Sequence, residues 1–329
     1  MKNVTLAIGS GGKDMHAFIN EYIIKKLGNS SLNRMDDASV IMPEGKRIAF
    51  TTDSYVVSPI FFDGGDIGRM CVCGTVNDLS TTGAKPVALS LAFILEDGAL
   101  LDDICKIIDS IAAACKEANV RIITGDTKVV EKGKGDKVYI NTSGVGFIDD
   151  GIDISSHNAV VGDQVIVTGP IGNHEAAMMR ARGLINFDTR INSDVAPLNL
   201  KVETLLKATK DIHVIKDPTR GGLASALFEI AQNSNCEIRI FEEKLPVDPN
   251  VKAVCDLLGL DPLYLANEGK FVILCPQNSA GPVLKTFGPE AKIIGAVMSS
   301  GKQKLNIETL SGGIRRLSML DSVQLPRIC

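Results

Sequence analysis

The sequence predicts an α/β protein of two domains followed by an extended C-terminal tail. With 329 residues, the chain exceeds what one hydrophobic core usually serves. Both halves mix strand-like and helix-like segments, which is typical of two α/β domains. The stretch 149–162 between them is polar and rich in loop residues. We therefore expect domains at 1–155 and 156–315 and a mobile tail at 316–329.

Composition and charge argue against several functional classes. The net charge is −4, and no basic stripe is present, which disfavours a protein that binds nucleic acid or a membrane surface. No stretch approaches the length of a membrane span, and the apolar run at 4–8 is too short for a signal peptide. Eight cysteines without a secretory signal indicate a reducing compartment, so we expect a cytoplasmic protein.

Apolar periodicity predicts the elements of the first half in order. They are a short strand before a glycine loop at 9–13, a helix through 18–27, a strand at 48–54, a helix at 68–82, a strand at 87–95, a helix at 101–119, a strand at 120–124 that is followed by GDTK at 125–128, and a strand at 137–148.

The second half repeats this alternation of strands and helices. The predicted elements are a strand at 164–168, helices near 173–182 and 198–209, a helix that 217–222 opens and that ends near 233, and strands near 236–241, 270–275, 291–297 and 303–308.

Five aspartates lie beside small residues rather than in charged surface runs. They are Asp36, Asp37, Asp53, Asp78 and Asp126. Asp53 and Asp126 both follow apolar strands, and strand ends meet at one rim of a sheet, where ligands commonly bind. Clustered carboxylates need a cation, and oxygen ligands suit Mg²⁺ shared with phosphate. Each aspartate alone fits a cap or a turn equally well, but the set favours a metal–nucleotide site.

Other residues could bind an anion or take part in a reaction. The glycine loop at 9–13 could bring backbone N–H groups to a phosphate, although it lacks the spacing of a Walker loop and also fits a plain turn. The segment 219–222 at a helix start is either an anion site or an ordinary cap. Lys128 could contact phosphate or be a solvated lysine, and Glu268 could be a base or part of a turn. The four histidines, at 16, 157, 174 and 213, lack partner spacing, so we do not expect them to be ligands.

The chain ends in a cysteine, Cys329, which is preceded by Pro326. Proline disfavours helix before it, and an extended segment from 316 to 329 could reach about 40 Å. A thiol on such a tail could enter a distant pocket. Taken alone, the feature also fits a frayed terminus.

Eight short motifs occur in an order that resembles one family. They are GSGG at 9–12, DDA at 36–38, TDS at 52–54, NDL at 77–79, GDTKVV at 125–130, DPTRGG at 217–222, NEGK at 267–270 and PRIC at 326–329. The series resembles the HypE family of hydrogenase maturation proteins, which are carbamoyl dehydratases of the aminoimidazole ribonucleotide synthetase-like (PurM-like) ATP-binding superfamily. The resemblance covers essentially the whole chain.

The resemblance implies a fold, partners and an activity. The fold is a two-domain PurM-like fold, with an N-terminal mixed sheet that pairs across a homodimer, a C-terminal α/β sandwich, and ATP with Mg²⁺ between the halves. The partner HypF carbamoylates the terminal thiol, and ATP-dependent dehydration converts the thiocarbamate to a thiocyanate. The cyano group then passes to iron on the HypC–HypD complex, for the active site of [NiFe]-hydrogenase.

The resemblance also implies roles for single residues. Magnesium would be held by Asp53, Asp78 and Asp126. Cys329 would carry the substrate, Lys128 would steady the phosphoryl or carbamoyl group, and Glu268 would accept a proton. The remaining residues of the nucleotide site would be Gly9, Ser10, Gly11, Gly12, Lys13, Asp36, Asp37, Thr127, Asp217, Arg220, Gly221 and Gly222.

Two alternatives stay open. The chain could be another synthetase of the superfamily, from selenophosphate or purine synthesis. Selenophosphate synthetases usually carry cysteine or selenocysteine in the early glycine-rich segment, whereas here no cysteine precedes Cys71, and a purine-pathway enzyme needs no terminal thiol. The chain could also be a thiol carrier without catalysis, which would consume no ATP.

Overall fold

The computed structural model describes residues 12–27, 29–30, 32–185, 190–320, 325 and 327–328. Within these ranges the chain forms a five-stranded sheet, a seven-stranded sheet and a two-stranded ribbon, together with helices. The predicted α/β class is therefore confirmed. Across the same ranges, no helix combines the length and apolarity needed to cross a membrane.

The helices and strands have the following bounds. The helices are α1 (Lys13–Phe18), α2 (Lys25–Leu27), α3 (Ile67–Thr81), α4 (Leu101–Ala118), α5 (Asn173–Ala181), α6 (Asn199–Ala208), α7 (Gly222–Asn233), α8 (Pro249–Leu258) and α9 (Gln277–Phe287). A π-helical turn, Ile19–Ile24, joins α1 to α2. The strands are β1 (Ser39–Ile41), β2 (Ile48–Tyr55), β3 (Phe61–Phe62), β4 (Gly65–Asp66), β5 (Lys85–Glu96), β6 (Arg121–Val130), β7 (Val138–Phe147), β8 (Gln164–Val167), β9 (Val214–Lys216), β10 (Cys236–Phe241), β11 (Val272–Cys275), β12 (Lys292–Ser300), β13 (Lys304–Glu308) and β14 (Ile314–Leu317).

The first sheet has the strand order β1-β2-β7-β5-β6, and only β5 and β6 run parallel. Buried and half-buried residues alternate along β7, so the two faces of the sheet differ. One face packs on α3, whose small residues allow a close approach. A side chain at Gly74 would collide with the hydroxyl of Tyr55, so glycine is required at that contact. We call this covered face the inner face and the opposite one the outer face.

The second sheet has the order β14-β13-β10-β12-β8-β11-β9. Helix α3 contacts β2 and β7 of the first sheet and β9 of the second, so it lies where the two halves meet. Asn77 on α3 ties the halves together, because its amide nitrogen donates to the Ala196 carbonyl and its oxygen accepts from the Leu198 amide, at 3.0 and 2.8 Å. These bonds hold the two halves in register around Asp78, the carboxylate that α3 carries.

One predicted strand end is wrong. The strand expected to end at 124 continues through 125–128 as part of β6, where Gly125 pairs with Leu91 and Lys128 pairs with Ile94. A Cβ at Gly125 would collide with the Leu91 carbonyl oxygen. The glycine therefore permits a close approach of two strands and does not end one.

The tail is less separate than the sequence suggests. Arg316 pairs with Asn306, so the last strand includes the first two residues assigned to the tail. Leu317 is buried in the second core, and Ile328, near the chain end, is buried in the first. The mobility of the tail stays a prediction, as does the domain boundary at 155–156, which falls between β7 and β8.

Candidate functional site

Acidic side chains from both halves converge where the two sheets meet. Asp53 lies on β2, Asp78 lies on α3, and Asp217 follows β9 directly. Burial raises the pKa of Asp78 well above its usual range, and the charges of Asp217 and Asp53 raise it further. Burial, followed by the charge of Asp37, also raises the pKa of Asp217 to about 7. Carboxylates crowded in this way favour a bound cation.

A buried lysine supplies positive charge to this cluster. The side chain of Lys216 is 8% exposed, and its Nζ lies 2.5 Å from Asp37 Oδ1 and 3.1 Å from Glu229 Oε2. Burial favours the neutral amine, but the surrounding carboxylates outweigh it and raise the pKa of Lys216 well above its usual value. Burial likewise opposes ionisation of Glu229, yet Lys216 and His16 hold the pKa of that carboxyl below its usual value. Lys216 therefore stays charged and fixes the carboxylates around it.

A cavity of about 330 Å³ opens beside Lys216. Its charged wall consists of His16, Asp36, Asp37, Lys216, Asp217, Arg220 and Glu229. Apolar side chains also line it, from Met15, Ile19, Ile24, Met35 and Ala226. His16 Nε2 lies 3.1 Å from Glu229 Oε1, which joins α1 to α7 across the cavity. A cavity with both kinds of lining suits a ligand that has a flat apolar part and a charged part, such as a nucleotide.

Asp36 and Asp37 lie side by side but have different surroundings. Asp36 accepts hydrogen bonds from the hydroxyls of Ser155 and Ser156, at 3.0 and 2.5 Å, so it ties the first half to the linker between the sheets. Asp37 faces Lys216, and burial raises the pKa of Asp37 although Lys216 opposes the shift. Both line the cavity, as the sequence suggested for a binding pair.

The structure does not bring Asp126 to this cluster. Strand register places Ser54, Asn141, Ala92 and Asp126 in one row across the sheet. Asn141 Nδ2 donates to Ser54 Oγ on the outer face, whereas Thr51, on the inner face, donates to Asp78 at 3.0 Å. Because side chains alternate along a strand, Asp53 shares the inner face with Thr51, and Asp126 lies on the outer face.

Asp126 and Lys128 instead contact each other. Lys128 Nζ lies 2.6 Å from Asp126 Oδ1, and both side chains are more than half exposed. The hydrogen bond from Lys128 holds the pKa of Asp126 below its usual value. The strands β7 and β5 separate Asp53 from Asp126, which amounts to about 14 Å across the sheet.

The predicted metal triad of Asp53, Asp78 and Asp126 is therefore not assembled within one chain. Across the described ranges, no group of three histidine, cysteine, aspartate or glutamate side chains is arranged to hold a metal. The metal assignment therefore stays a prediction, since the sequence shows that an aspartate is near a strand end but not which face of the sheet it occupies.

The structure describes only part of the two predicted anion-binding segments, 9–13 and 219–222. Gly9, Ser10 and Gly11 lie outside the described residues. Gly12 is the residue before α1, and the Lys13 amide donates to the Leu320 carbonyl at 3.2 Å. Thr127 is exposed on β6.

The second of these segments precedes α7. Gly221 and Gly222 have φ of +79° and +63°, and a side chain at Gly222 would collide with the Leu263 and Leu265 carbonyls. Only glycine fits this turn, which presents the start of α7 and Arg220 to the cavity.

Glu268 is buried, with 5% of its surface exposed. Burial raises the pKa of its carboxyl well above the usual range, and Asp194, Asp217 and Asp53 add to the shift. Its backbone amide is held by Asp194 Oδ1 at 3.2 Å. A buried carboxyl whose pKa is raised in this way is a candidate for proton transfer. Its neighbour Asn267 is structural, since its oxygen accepts from the Gly172 amide at 2.7 Å.

The end of the chain is docked against both halves. Ile328 is 5% exposed in the first core, and its carbonyl oxygen lies 2.7 Å from His174 Nε2. The carbonyl of Arg327 accepts from the Ser58 amide and from Arg182. The side chain of Arg327 donates to the Val56 carbonyl and pairs with Asp136. Cys329 itself lies outside the described residues.

Sequence reasoning missed four residues of this region: His16, His174, Lys216 and Glu229. Their partners lie far away in the sequence, so no local spacing reveals them. His16 contacts Glu229, which is 213 residues away, and His174 contacts Ile328, which is 154 residues away. The only available signal was the position of Lys216, directly before the motif that begins at Asp217.

Comparison with known proteins gives consistent matches over the whole chain. Residues 35–148 match the AIR synthase related protein N-terminal domain, and residues 160–308 match the corresponding C-terminal domain. A protein of Bradyrhizobium diazoefficiens named carbamoyl dehydratase HypE is 46% identical over 332 residues, which cover 99% of this chain and 96% of that protein.

Two solved structures have the same fold and related sequences. One is a crystal structure of a HypE–HypF complex, with a TM-score of 0.88 and 46% identity, covering 92% of this chain and 100% of that chain. The other is the hydrogenase maturation protein HypE in complex with ATP, with a TM-score of 0.84 and 43% identity, covering 99% of this chain and 100% of that chain.

Proposed function

Because the chain belongs to the HypE family of carbamoyl dehydratases, we propose that it uses ATP to dehydrate the carbamoylated thiol of its own Cys329 to a thiocyanate. This activity would supply the cyanide ligands of the iron in [NiFe]-hydrogenase. Relatives named for the activity align over nearly the full length of both chains. The docked tail carries the proposal, since it brings the residue before Cys329 into the core between the two halves.

One carboxylate influences both the histidine that holds the tail and the candidate base. The charge of Asp194 raises the pKa of Glu268, and it also opposes the fall that burial causes in the pKa of His174, which hydrogen-bonds the Ile328 carbonyl. Glu268 is in turn within reach of the charges of Asp217 and Asp53. A tail docked in this way supports delivery of the following residue to the carboxylate cluster.

The reaction turns a poor leaving group into a good one. The thiocarbamate oxygen on Cys329 takes the γ-phosphoryl group of ATP, and an N–H proton leaves, so that a carbon–nitrogen double bond forms. Phosphate then departs as the second N–H proton is removed, which leaves S–C≡N, ADP and phosphate. We assign proton acceptance to Glu268, because burial and nearby carboxylates raise the pKa of its carboxyl, a perturbation that is typical of catalytic acids and bases.

The cavity beside Lys216 is our candidate for the nucleotide site, with Asp36, Asp37, Asp217 and Arg220 in its wall. A related HypE structure contains ATP, which supports ATP as the cosubstrate. Asp53 and Asp78 fit Mg²⁺, because burial and the charges of Asp217 and Asp53 make Asp78 costly to ionise and a cation would relieve this cost. Magnesium would neutralise charge on the transferring phosphoryl group.

We further propose a homodimer that forms through the outer face of the first sheet. Phe50, Ile94 and Phe147 on this face are 49%, 45% and 46% exposed, which is costly for a surface that stays in water. Asp126 and Lys128 lie on the same face. A second copy packed there would bury the apolar side chains, and Asp126 and Lys128 of each copy would complete the site of the other.

Three further assignments follow from the family. A related HypE has been solved in complex with HypF, which supports HypF as the partner that carbamoylates the tail. Transfer of the cyano group to iron on HypC–HypD would follow dehydration. The cysteines that the structure describes are unpaired thiols, which fits a reducing cytoplasm.

Intact mass spectrometry with HypF, carbamoyl phosphate and ATP tests the function. We expect a carbamoyl adduct on the wild-type chain, followed by ATP-dependent loss of one water, and neither product in Cys329→Ala. ATP consumption without an adduct would favour another synthetase of the superfamily. An adduct that persists with no ATP turnover would favour a thiol carrier, and either result would overturn the proposal.

A further inference from the structure

His174 is a buried residue at the start of α5. Within the described ranges, it forms no hydrogen bond with the residues of the carboxylate cluster. Its side chain is 0% exposed and packs edge-on against the ring of Phe62, at 5.5 Å between centroids. Both ring nitrogens have partners: Nδ1 lies 2.8 Å from Ser193 Oγ, and Nε2 lies 2.7 Å from the Ile328 carbonyl oxygen. A buried histidine whose two nitrogens join the core to the chain end is placed to position that end.

The hydrogen-bond partners determine which tautomer is present. A carbonyl oxygen can only accept, so Nε2 must carry the proton and donate it to Ile328. In the neutral ring, Nδ1 is then an acceptor and receives the hydroxyl proton of Ser193. The Ser193 oxygen also accepts from the Val195 amide at 3.2 Å, which orients the hydroxyl toward the ring. Burial lowers the pKa of His174, in agreement with a neutral ring.

The rest of the docked tail is arranged so that this carbonyl faces His174. Arg327 adopts φ +56°, a left-handed conformation that is rare for a residue with a side chain. Bonds from Ser58 and Arg182 to its carbonyl hold the bend. The bend places the Ile328 side chain in the core and leaves the Ile328 carbonyl, the last one before Cys329, for the imidazole.

We propose that His174 is a positioning residue for dehydration: its Nε2–H holds the carbonyl of Ile328, the residue that precedes Cys329, and Ser193 keeps the imidazole in the tautomer that can donate. The inference rests on the proposed function, in which Cys329 carries the carbamoyl group. Both ring nitrogens of His174 are engaged by Ser193 and Ile328, so His174 would act on Cys329 through the backbone of the preceding residue.

The test separates carbamoylation from dehydration. The variants are His174→Leu, which removes the donor at similar volume, and His174→Gln, whose side-chain amide can restore an N–H at similar reach. Each chain is carbamoylated with HypF and carbamoyl phosphate, and the loss of water is followed by mass in a single turnover after ATP is added. We expect unchanged ATP affinity and adduct formation no slower than in wild type, but dehydration slowed at least about tenfold in His174→Leu and recovered to within about threefold of wild type in His174→Gln.

A second readout is the alkylation rate of the unmodified Cys329 thiol, mapped by peptide mass, which we expect to rise in His174→Leu and not in His174→Gln. Ser193→Ala is a milder variant should the leucine chain fail to fold, and we expect it to slow dehydration by about threefold through loss of the tautomer preference. His213→Gln is the matched control, because His213 lies in the same half and contacts Asp163, at 2.9 Å, and not the tail.

The outcomes distinguish the inference from the proposed function. Normal dehydration in His174→Leu, or normal dehydration in Ser193→Ala if the former does not fold, overturns the role of His174 and leaves the function intact. If His174→Leu and His174→Gln lose dehydration rate equally and have equal melting temperatures, the role of His174 is in packing, and the proposed positioning role is again overturned. A wild-type chain that never loses water refutes the function itself.

Discussion

Replacing Lys216 by methionine tests whether the buried charge network holds the two halves together. The substitution keeps the length and apolar stem of the side chain and removes only the ammonium group. Nζ lies within 2.5 Å of Asp37 and 3.1 Å of Glu229, so both carboxylates lose their closest cation. Asp217, whose pKa is raised to about 7 although Lys216 opposes the shift, loses the same support.

The size of the effect follows from the burial of the pair. Removing one partner of a buried ion pair costs about 3–5 kcal/mol, because a buried charge stays uncompensated. For a domain of ordinary size, this corresponds to a fall in melting temperature of about 10 °C. The loss must depend on pH. Without Lys216, the carboxyls of the folded variant bind protons at pH values above ~4, where the same groups in the unfolded chain have released them. The free energy of unfolding therefore declines as pH rises from 5 to 8.

Thermal unfolding followed by circular dichroism at pH 5 and pH 8 measures both effects. We expect the difference between wild type and Lys216→Met to be clearly larger at pH 8. The matched control is Lys252→Met, which breaks an exposed pair with Asp256 on α8 and should leave the melting temperature unchanged. An equal loss at both pH values, or no loss at all, would refute the view that Lys216 compensates buried carboxylates.

Three other experiments probe the site. Asp217→Asn should raise the stability of the nucleotide-free protein at pH 8 by on the order of 2–4 kcal/mol, because the folded state then avoids ionising a carboxyl whose pKa is raised from 3.8 to about 7. This gain should vanish below pH ~4, and chemical denaturation at both pH values measures it. Glu268→Gln should accept the carbamoyl group but not lose water, and dehydration at the wild-type rate would remove Glu268 from the mechanism. Asp53→Asn and Asp126→Asn should each be inactive alone, whereas randomly mixed dimers should recover about a quarter of wild-type dehydration, since one site in each mixed dimer is intact. No recovery would refute a site shared between two copies.

The sequence predicts the elements of this fold well wherever apolar residues repeat regularly. The helix at 101–119 corresponds to α4, and the strand at 137–148 to β7, within a residue or two at each end. Prediction from the sequence fails where one residue type is compatible with two different local structures. The predicted strand ends at 124, but β6 continues through Gly125, which is the point where it approaches the Leu91 carbonyl. Deciding between the two requires knowing which strand lies next to it, and that is a tertiary fact.

The candidate site was predictable in its residue types more than in its arrangement. Motif order identified Asp37, Asp78 and Asp217, which the fold brings together. It could not show that Asp126 faces the other side of the sheet, because a one-residue change in strand register reverses the face of every side chain. Nor could it show that Lys216 is buried among acids, since the partner carboxylates belong to other elements. Long-range pairing thus limits prediction of the site more than local structure does.

The docked tail is held by interactions that nearly balance its cost. Burial of Ile328 contributes about 2–3 kcal/mol, and the four hydrogen bonds to Arg327 and Ile328, from or to Val56, Ser58, Arg182 and His174, contribute about 1 kcal/mol each. Ordering residues 325, 327 and 328 costs about 1–1.5 kcal/mol for each residue, and the left-handed bend at Arg327 costs about 1 kcal/mol more. For these residues the balance favours docking by no more than about 3 kcal/mol. The proposed function needs such a small margin, because the thiol must be reachable by a carbamoylating partner and then return to its own catalytic site. Each single hydrogen bond therefore shifts the docked population several-fold, and the bond from His174 is made to the residue that precedes Cys329.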